Sequence, residues 1–577
     1  MIPRTDALAA MERDEFDLVV VGGGITGAGV ALDAASRGYS VALLERDDYA
    51  SGTSSRSSKL VHGGLRYLQS FDLGLVREAL LERSLMVQLA PHLVRPLPML
   101  VPSFEGKRPD RLMGVGLNMY DVMSWRRSRD RRSDGEEDWS PERHRIVDGD
   151  ETIELIPALA EREPTAAYLF YDCQTDDVRL VLTVLGEAER FGAVLANGCE
   201  VTGLVEREGR AAGVLARDAE SGSEFEVSAA NVINATGVWA DRLRPDELYG
   251  EEEVPRIRPS RGTHLTMARE RLPVEAGTIV PAGGGRTVFV LPWLGGTLIG
   301  TTDNDYEGPL EHVPPSDADV EYLLAAVNEF FATSLTPGDL SGAYAGVRPL
   351  ISSGDPRKSV DISRKAELYE TSSGLVTITG GKLTTWRRMA KLAVDRVVER
   401  EGREAPCRTE EIPLGMPEGP EQLPRVEGVE QDTREHLAAR YGHAANDVLE
   451  LAASSPELRR RICAAAPDIA AEAAFAARRE QVRSLADVLL RRTRLGLTCA
   501  RELSEAGTDG PAIAARAIAG ELGWDGDRVE RELEGWRDVA KAEGLVPAGA
   551  GPPVPEPVPA ESGRAPLQEG GAPEEAA

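Results

Sequence analysis

The stretch that decides the fold is Phe16–Glu45, FDLVVVGGGITGAGVALDAASRGYSVALLE. The apolar run Phe16–Val21 predicts a buried strand, which ends in three consecutive glycines. The small residues of Ile25–Arg37 predict a helix that stops at Gly38, and Ser40–Leu44 predicts a second strand. This order indicates a βαβ unit at the start of a doubly wound sheet.

The glycines after the first strand form the pattern G-x-G-x-x-G, at Gly22, Gly24 and Gly27. The first suits a tight turn, the second a close approach of pyrophosphate, and the third the packing of helix on strand. The helix N-terminus, which includes Thr26, then binds the phosphates. Glu45 ends the second strand at the spacing where a carboxylate accepts hydrogen bonds from ribose hydroxyls. These residues alone leave FAD and NAD open.

The Ser/Thr- and Gly-rich segment Gly52–Leu68, GTSSRSSKLVHGGLRYL, favours FAD. Nicotinamide enzymes have no need of it, whereas in flavoproteins of the glutathione-reductase-like class such a segment passes beside the pyrophosphate and the isoalloxazine. Two further contacts are expected at the glycine turns NATG (Asn234–Gly237) and GGKLTT (Gly380–Thr385). The cofactor contacts predicted in the three segments are Thr53, Ser54, Ser58, Lys59, His62, Gly63, Gly64, Leu65, Thr236, Gly237, Gly381, Leu383 and Thr384.

The region 16–400 is predicted to be one FAD-dependent oxidoreductase unit. Segments at roughly 85–170 and 245–350 supply an interleaved substrate domain, whose alternating pattern predicts an antiparallel, β-rich sheet. Glu367–Gly381 predicts a last strand. The predicted fold class is therefore α/β: a glutathione-reductase-like, FAD-binding Rossmann domain with a β-rich substrate domain and a C-terminal all-helical domain.

Three further regions flank or follow this unit. Residues 1–15 are a short, charged N-terminal extension. Residues 401–545 are rich in Ala, Arg, Glu and Leu and predict the C-terminal helical domain. Residues 546–577 consist mainly of Pro, Ala, Gly and Glu, which predicts a disordered tail.

The composition excludes several classes of function. Asp and Glu number 95 against 66 Lys and Arg, a net charge of −29, which argues against a nucleic-acid partner but not against a small anionic substrate. Lysine is scarce, so Lys59 and Lys382 stand out inside their motifs. The five scattered cysteines indicate a reduced compartment, with neither a disulfide framework nor structural zinc, and we predict no metal. We predict neither a signal peptide nor a membrane-spanning segment.

Three specific stretches carry a resemblance to a known family: TSSRSSKLVHGGLRYL (Thr53–Leu68), GVRPL (Gly346–Leu350) and GGKLTTWR (Gly380–Arg387). IGTTD (Ile299–Asp303) and RSLADVLLRRTRLGL (Arg483–Leu497) support it. With them, nearly the whole chain resembles the FAD-dependent, aerobic, quinone-linked glycerol-3-phosphate dehydrogenases. The resemblance implies oxidation of sn-glycerol 3-phosphate to dihydroxyacetone phosphate by hydride transfer from C2 to flavin N5, with membrane quinone as the electron acceptor.

The resemblance also implies which residues handle the substrate. The implied phosphate contacts are Arg66, Tyr67, Arg364 and Lys382. For Lys382, contact with the flavin is the alternative. His264 of GTHLTM and Arg348 of GVRPL fall beside the reacting oxygen. A neutral imidazole suits proton abstraction near pH 7, so we assign His264 as the general base and Arg348 to stabilisation of the oxyanion.

A quinone acceptor implies a cytoplasmic protein attached peripherally to the inner face of the cell membrane. The basic run in Trp125–Arg132, WRRSRDRR, is predicted to be a polar loop whose cations suit anionic headgroups. Pairing of this run with the acidic residues that follow it is the alternative. The sequence leaves a homodimer open.

Other functions compete with this one. The nearest alternative is a glycerol-3-phosphate oxidase that uses O2, since its flavin site would be almost identical. An amine or amino-acid oxidase of the same flavin fold is disfavoured, because its carboxylate substrate needs fewer cations. A non-catalytic FAD-binding protein is disfavoured because Arg66, His264, Arg348 and Lys382 are all present.

Overall fold

The computed structural model describes residues 1–64, 73–107, 109–128, 142–243, 256–352, 366–505 and 507–549. The strands in these ranges are β1 Phe16–Val21, β2 Val41–Leu44, β3 Leu60–Val61, β4 Arg95–Ser103, β5 Arg145–Asp148, β6 Ala166–Gln174, β7 Val194–Ala196, β8 Cys199–Arg207, β9 Arg210–Asp218, β10 Glu224–Asn234, β11 Arg256–Ala268, β12 Gly277–Ala282, β13 Arg286–Trp293, β14 Gly296–Gly300, β15 Asn304–Asp305, β16 Leu340–Ser352, β17 Ala366–Glu370 and β18 Val376–Gly380. The helices are α1 Arg4–Arg13, α2 Ile25–Ser36, α3 Leu73–Leu89, α4 Arg111–Ser128, α5 Gly149–Leu155, α6 Asp177–Arg190, α7 Asp317–Phe331, α8 Trp386–Glu401, α9 Gln431–Tyr441, α10 Ala445–Ser454, α11 Ala470–Arg479, α12 Leu485–Asp487, α13 Leu495–Thr498, α14 Ala500–Ser504, α15 Asp509–Leu522 and α16 Gly526–Ala542.

The first sheet contains the predicted βαβ unit. Its strand order is β17-β18-β10-β1-β2-β7, with β9 beside β10 and β8 beside β9. β1 pairs in parallel with both β2 and β10. Leu18 and Val20 of β1 are fully buried because α2, α6 and α8 contribute to the core around them. The carboxyl ends of these parallel strands therefore lie at one edge of the sheet, the position of a ligand crevice in doubly wound folds.

Helix α2 consists of small residues because α8 lies directly against it. A Cβ atom on Gly29 would lie 2.6 Å from Cε3 of the Trp386 ring. Trp386 begins α8 and is 1% exposed. A larger residue at position 29 would therefore push the two helices apart, and close-packed interiors relax only partly to accommodate such an addition.

The second sheet has the strand order β15-β11-β14-β13-β12-β4-β6-β3, with β16 beside β11 and β5 beside β6. Its pairs are antiparallel except for β12 with β4. The long strands β11 and β16 pair along almost their whole length, which places His264 opposite Tyr344 and Ser260 opposite Arg348. This sheet is the antiparallel, β-rich layer that the alternating pattern predicts.

The C-terminal helices α9–α16 form a core of their own around the buried Trp536, and this core continues onto side chains of the second sheet. Buried arginines join it to the loop after β2: Arg491 and Arg492 donate to the Asp48 carboxylate, at 2.5 and 2.8 Å. The predicted fold class is confirmed by the two sheets and this helical region. In the described ranges, no helix combines the length and the apolar character needed to cross a bilayer.

Some predicted elements differ in detail. Glu367–Gly381 is a hairpin of β17 and β18, because Gly374 at φ +84° turns the chain between them. The predicted polar loop around Arg126 begins later than expected, since α4 continues through Ser128. Residues 129–141 of that loop and 550–577 of the predicted tail lie outside the described residues. The N-terminal extension contains α1, whose Ala7 and Met11 are fully buried.

Candidate active site

A cavity of about 710 Å³ lies where the first sheet meets the second. Its lining includes the glycine turn after β1 and the end of β2. Residues of β11 and β16 and the turn after β18 line it as well. This volume falls in the ordinary range for small-molecule and cofactor sites.

The turn after β1 is shaped by its glycines. Gly22 has φ +109°, and a Cβ atom there would lie 2.7 Å from the Ala235 carbonyl oxygen. A Cβ atom on Gly27 would overlap the Gly22 carbonyl oxygen, so the first turn of α2 can approach β1 only if this residue is glycine. The Ser54 hydroxyl accepts a hydrogen bond at 2.9 Å from the N–H of Ile25, the first residue of α2. The part of the Ser/Thr-rich segment around Ser54 therefore lies directly at the start of this helix.

Glu45 is anchored at the other side of this turn. One carboxylate oxygen accepts from the Gly23 N–H at 2.6 Å and the other from the Asp47 N–H at 2.9 Å. Burial raises the pKa of the Glu45 carboxyl to about 7, although these two N–H groups act in the opposite direction. Nearby, the Arg46 guanidinium lies 5.0 Å from the Trp239 ring centroid.

These features fit a dinucleotide. The glycine cradle has no room for side chains, the N-terminus of α2 opens at the cavity, and a carboxylate stands at the end of β2. We therefore assign Gly22, Gly24 and Thr26 to the pyrophosphate and Glu45 to the ribose, as proposed contacts.

His264, on β11, lies in the wall of the cavity. Its Nε2 is 2.8 Å from Ser58 Oγ, and its ring stacks on Tyr344 with centroids 4.8 Å apart. Gly300 faces His264 in the neighbouring strand, and a Cβ atom at Gly300 would overlap the imidazole. Burial, followed by the positive charges of Lys59 and Arg348, lowers the pKa of His264 well below 6.5. The imidazole is therefore neutral at physiological pH.

Arg348 is held at the cavity by the loop that follows β14. Its guanidinium donates to the Thr302 carbonyl oxygen, Thr301 Oγ1 and Asp303 Oδ1, each at 3.2 Å. Gly262 leaves the necessary space, because a Cβ atom there would lie 2.7 Å from Arg348 Nη2. The guanidinium is thus fixed in orientation while its side chain stays 29% exposed.

Lys382 follows two glycines with positive φ, Gly380 at +77° and Gly381 at +70°. This turn reverses the chain after β18 and places the half-buried Lys382 in the cavity lining. Thr384, in the next turn, accepts a hydrogen bond at 3.2 Å from the N–H of His62. The segments that carry His62 and Lys382 are therefore tied together.

The structure brings most of the predicted site residues to this one cavity. Those that line it are Gly22, Gly24, Thr26, Glu45, Thr53, Ser54, Ser58, His62, Gly64, Thr236, Gly237, His264, Arg348, Gly381, Lys382, Leu383 and Thr384. Gly27 and Gly63 are not in the lining; the Gly63 N–H donates to the Tyr120 hydroxyl at 2.9 Å. The predicted contacts Leu65, Arg66, Tyr67 and Arg364 lie outside the described residues.

Lys59 differs from its predicted role, because its side chain turns away from the cavity. Its ammonium group is fully buried and donates to Asp177 Oδ2 and to the Ser55 carbonyl oxygen, each at 2.7 Å. Burial, then the charge of Arg494, lowers the pKa of Lys59 to about 7. As a side-chain contact to the cofactor, the Lys59 prediction is not supported by this geometry.

Sequence reasoning missed the groups that hold the site in place. Arg348 donates hydrogen bonds to Thr301, Thr302 and Asp303. These three residues belong to the IGTTD motif, which on the sequence alone supports only the family resemblance. Tyr344, which supports the His264 ring, carries no local signal at all.

Comparison with known proteins gives the family. Residues 17–396 match the family described as FAD dependent oxidoreductase, and residues 376–529 match the C-terminal domain of alpha-glycerophosphate oxidase. Glycerol-3-phosphate dehydrogenase 2 of Mycobacterium tuberculosis is 37% identical over 94% of this chain and 91% of its own length. The chain belongs to the FAD-dependent glycerol-3-phosphate dehydrogenase family.

Further members of the family agree with this assignment. The aerobic glycerol-3-phosphate dehydrogenase of Bacillus subtilis is 35% identical over 85% of this chain and 89% of its own length. The solved glycerol-3-phosphate dehydrogenase of Bacillus halodurans, complexed with FAD, has a TM-score of 0.71 and 28% identity, covering 94% of this chain and 97% of that chain. The protein is thus an oxidoreductase with FAD as its cofactor.

Proposed function

We propose that the protein oxidises sn-glycerol 3-phosphate to dihydroxyacetone phosphate. The observation that carries this proposal is that His264, Arg348 and Lys382 line the same cavity as the glycine cradle. A lysine suits the phosphate, an arginine suits the charge that develops on the reacting oxygen, and a neutral imidazole suits removal of a hydroxyl proton. The names of the family members support the same substrate.

Bound FAD supplies the acceptor for the hydride that leaves C2 of the substrate. Arg348, which the loop after β14 holds in place, would stabilise the charge that develops on the reacting oxygen. Lys382 binds the phosphate as a point charge. Because Ser58 both lines the cavity and bonds Nε2 of His264 at 2.8 Å, the hydroxyl proton reaches the imidazole by way of Ser58.

Glycerol 3-phosphate added without oxygen should bleach the absorbance band of the FAD-loaded protein. His264→Asn should slow this bleaching by about 10²- to 10⁴-fold. Because the pKa of His264 is lowered, the imidazole remains the acceptor as pH falls, so the wild-type rate should not drop through pH 6.5. Stopped-flow absorbance between pH 6 and 8 measures the bleaching, the rate of His264→Asn and the pH dependence of the wild-type rate.

The matched control is His443→Asn, an exposed histidine paired with Glu418 in the C-terminal region. It should bleach at the wild-type rate. Wild-type protein that does not bleach would refute the proposed activity. An unchanged rate in His264→Asn would assign the base to His62, the other imidazole in the cavity lining.

For the electron acceptor we propose membrane quinone, reached by peripheral attachment to an anionic lipid surface. Helix α4 supports this, because Leu112, Val115, Met119 and Val122 are exposed along one face at helical spacing. Leu112 is 77% exposed and Val115 57%. The basic run WRRSRDRR begins in the last residues of this helix and continues beyond it in the sequence, and its cations complement anionic headgroups.

The triple substitution Leu112→Ser, Val115→Ser and Val122→Ser should lower binding to vesicles containing anionic phospholipid by at least about tenfold, because apolar area no longer enters the lipid. Co-sedimentation measures the bound fraction. The double substitution Leu392→Ser and Leu522→Ser, at exposed leucines elsewhere, is the control and should bind normally. Equal vesicle binding by both variants would reject α4 as the lipid contact, and loss of a dimer instead would make it a contact between copies.

One observation supports the alternative, a glycerol-3-phosphate oxidase that uses O2: residues 376–529 match the C-terminal domain of alpha-glycerophosphate oxidase. The two activities differ in the product of reoxidation. Reduction of ubiquinone or menaquinone without peroxide supports the dehydrogenase, whereas stoichiometric peroxide in air supports the oxidase.

A further inference from the structure

A buried charge cluster lies behind the cavity wall and joins the C-terminal helical region to the loop that carries Ser58. Its centre is Asp177, the fully buried first residue of α6. Asp177 Oδ2 accepts from Lys59 Nζ at 2.7 Å, and from the hydroxyl and the N–H of Ser57 at 2.8 and 3.1 Å. Asp177 Oδ1 accepts from Arg494 Nη2 at 3.1 Å.

Arg494 also binds the loop that carries Ser58 directly, at Ser55. Its Nη2 donates to the Ser55 carbonyl oxygen at 2.8 Å, and Lys59 Nζ donates to that oxygen at 2.7 Å. The segment from Ser55 to Lys59 is therefore held at both ends by Lys59 and Arg494, which share one carboxylate. Both side chains are 0% exposed, so water does not compete for these bonds.

Ser58 lies inside this clamped segment. The residues on either side of it, Ser57 and Lys59, both bind Asp177, and Ser58 itself meets His264 Nε2 at 2.8 Å. A shift of the segment would thus move the Ser58 hydroxyl directly, because Ser57 and Lys59 are both bonded to Asp177 and cannot move independently of it.

The other support of the imidazole depends on the same segment. Tyr344, stacked on the His264 ring, donates its hydroxyl hydrogen bond to the Ser57 carbonyl oxygen at 2.9 Å. Lys59 Nζ lies 5.0 Å from the Tyr344 ring centroid. The charged groups that act on His264 are Lys59, behind this tyrosine, and Arg348, in the cavity lining.

We propose that Arg494 is a positioning residue for the active site: through Asp177 and the segment Ser55–Lys59 it fixes the hydrogen bond between Ser58 and His264. The C-terminal helical region thereby sets the geometry of the base as well as adding to the core. This inference rests on the proposed function only for the role of His264 in proton removal.

The test compares Arg494→Gln with Arg491→Gln. Both changes break a buried ion pair that joins the C-terminal region to the rest of the protein, but Arg491 binds Asp48, in the loop after β2, and does not contact the segment Ser55–Lys59. Both should lower the melting temperature and retain FAD. Only Arg494→Gln should slow flavin reduction, by about 10- to 100-fold in kcat with little change in KM, as expected for a misplaced catalytic group. Partial recovery is expected in Arg494→Lys.

A second readout does not depend on the substrate. The chain has seven histidines, so ¹⁵N-histidine labelling allows the His264 ring signals to be assigned by their loss in His264→Asn. Arg494→Gln should shift these signals and Arg491→Gln should not. If Arg494→Gln does not fold, Arg494→Lys against Arg491→Lys carries the comparison, because a lysine has one donor nitrogen where Arg494 uses two, Nη1 on the Leu490 oxygen and Nη2 on Ser55 and Asp177. Unmoved His264 signals in Arg494→Gln overturn the positioning role. If these signals shift but glycerol 3-phosphate does not reduce the flavin of the wild-type protein, only the proposed activity is overturned.

Discussion

Replacing Arg348 with alanine is expected to lower kcat by about 100- to 1,000-fold while FAD content and melting temperature stay close to wild type. The guanidinium is fixed by Thr302 and Asp303 before any substrate arrives, so its donors need no reorganisation as charge develops on the substrate oxygen. Loss of one such preorganised donor costs the transition state more than the ground state, so the effect should fall mainly on kcat.

Arg258→Ala is the matched control for this experiment. Arg258 lies on β11, in the same sheet, and pairs with the exposed Asp305 at 2.5 Å. Removal of that surface pair should change turnover by less than about twofold, because exposed ion pairs contribute little. Steady-state kinetics with an artificial electron acceptor gives kcat and KM for both variants. Equal kcat in Arg348→Ala and wild type would remove Arg348 from the chemistry.

Gly27→Ala is expected to abolish FAD retention during purification, so that the protein is colourless. The added Cβ atom would overlap the carbonyl oxygen of Gly22, and backbone cannot swing aside as a flexible side chain can. Relief of the clash must move either the first turn of α2 or the turn after β1, and both belong to the phosphate cradle. FAD content is read from the ratio of absorbance at about 450 nm to that at about 280 nm.

Gly186→Ala provides the control for the glycine experiment. Gly186 lies inside α6 with no atom within 4 Å of the position of a new Cβ. Because alanine is the better helix former, this change should raise stability by up to about 1 kcal/mol and leave FAD bound. Full FAD content in Gly27→Ala would show that the cradle tolerates a side chain there.

The βαβ unit could be predicted from the sequence because every signal for it is local. A buried strand, a glycine turn and a small-residue helix follow one another within the stretch Phe16–Glu45, and the structure confirms β1, α2 and β2. The substrate end could not be assembled in this way. Arg348 and its partner Asp303 are 45 residues apart and meet only through the strand pairing of the second sheet.

Lys59 shows why a motif does not fix the direction of a side chain. Its place between Ser58 and His62 suggested a cofactor contact, but the residue has φ +60° and its ammonium group finds Asp177, 118 residues later. The residues around Lys59 in the sequence do not indicate a carboxylate that lies so far along the chain, so this ion pair could not be predicted from the motif. The phosphate contacts Arg66, Tyr67 and Arg364 stay predictions of the sequence.

The contact between Gly29 and the Trp386 ring couples the positions of helices α2 and α8. Helix α2 starts at the phosphate cradle, and α8 starts directly after the turn that carries Lys382. Because the Trp386 ring packs directly on the Gly29 backbone, a displacement of the Lys382 turn should be accompanied by a displacement of the cradle. The spacing between cofactor and substrate is then set by the elasticity of packed helices rather than of loops. Thermal vibration should displace both ends together, which preserves their separation even while the site as a whole moves.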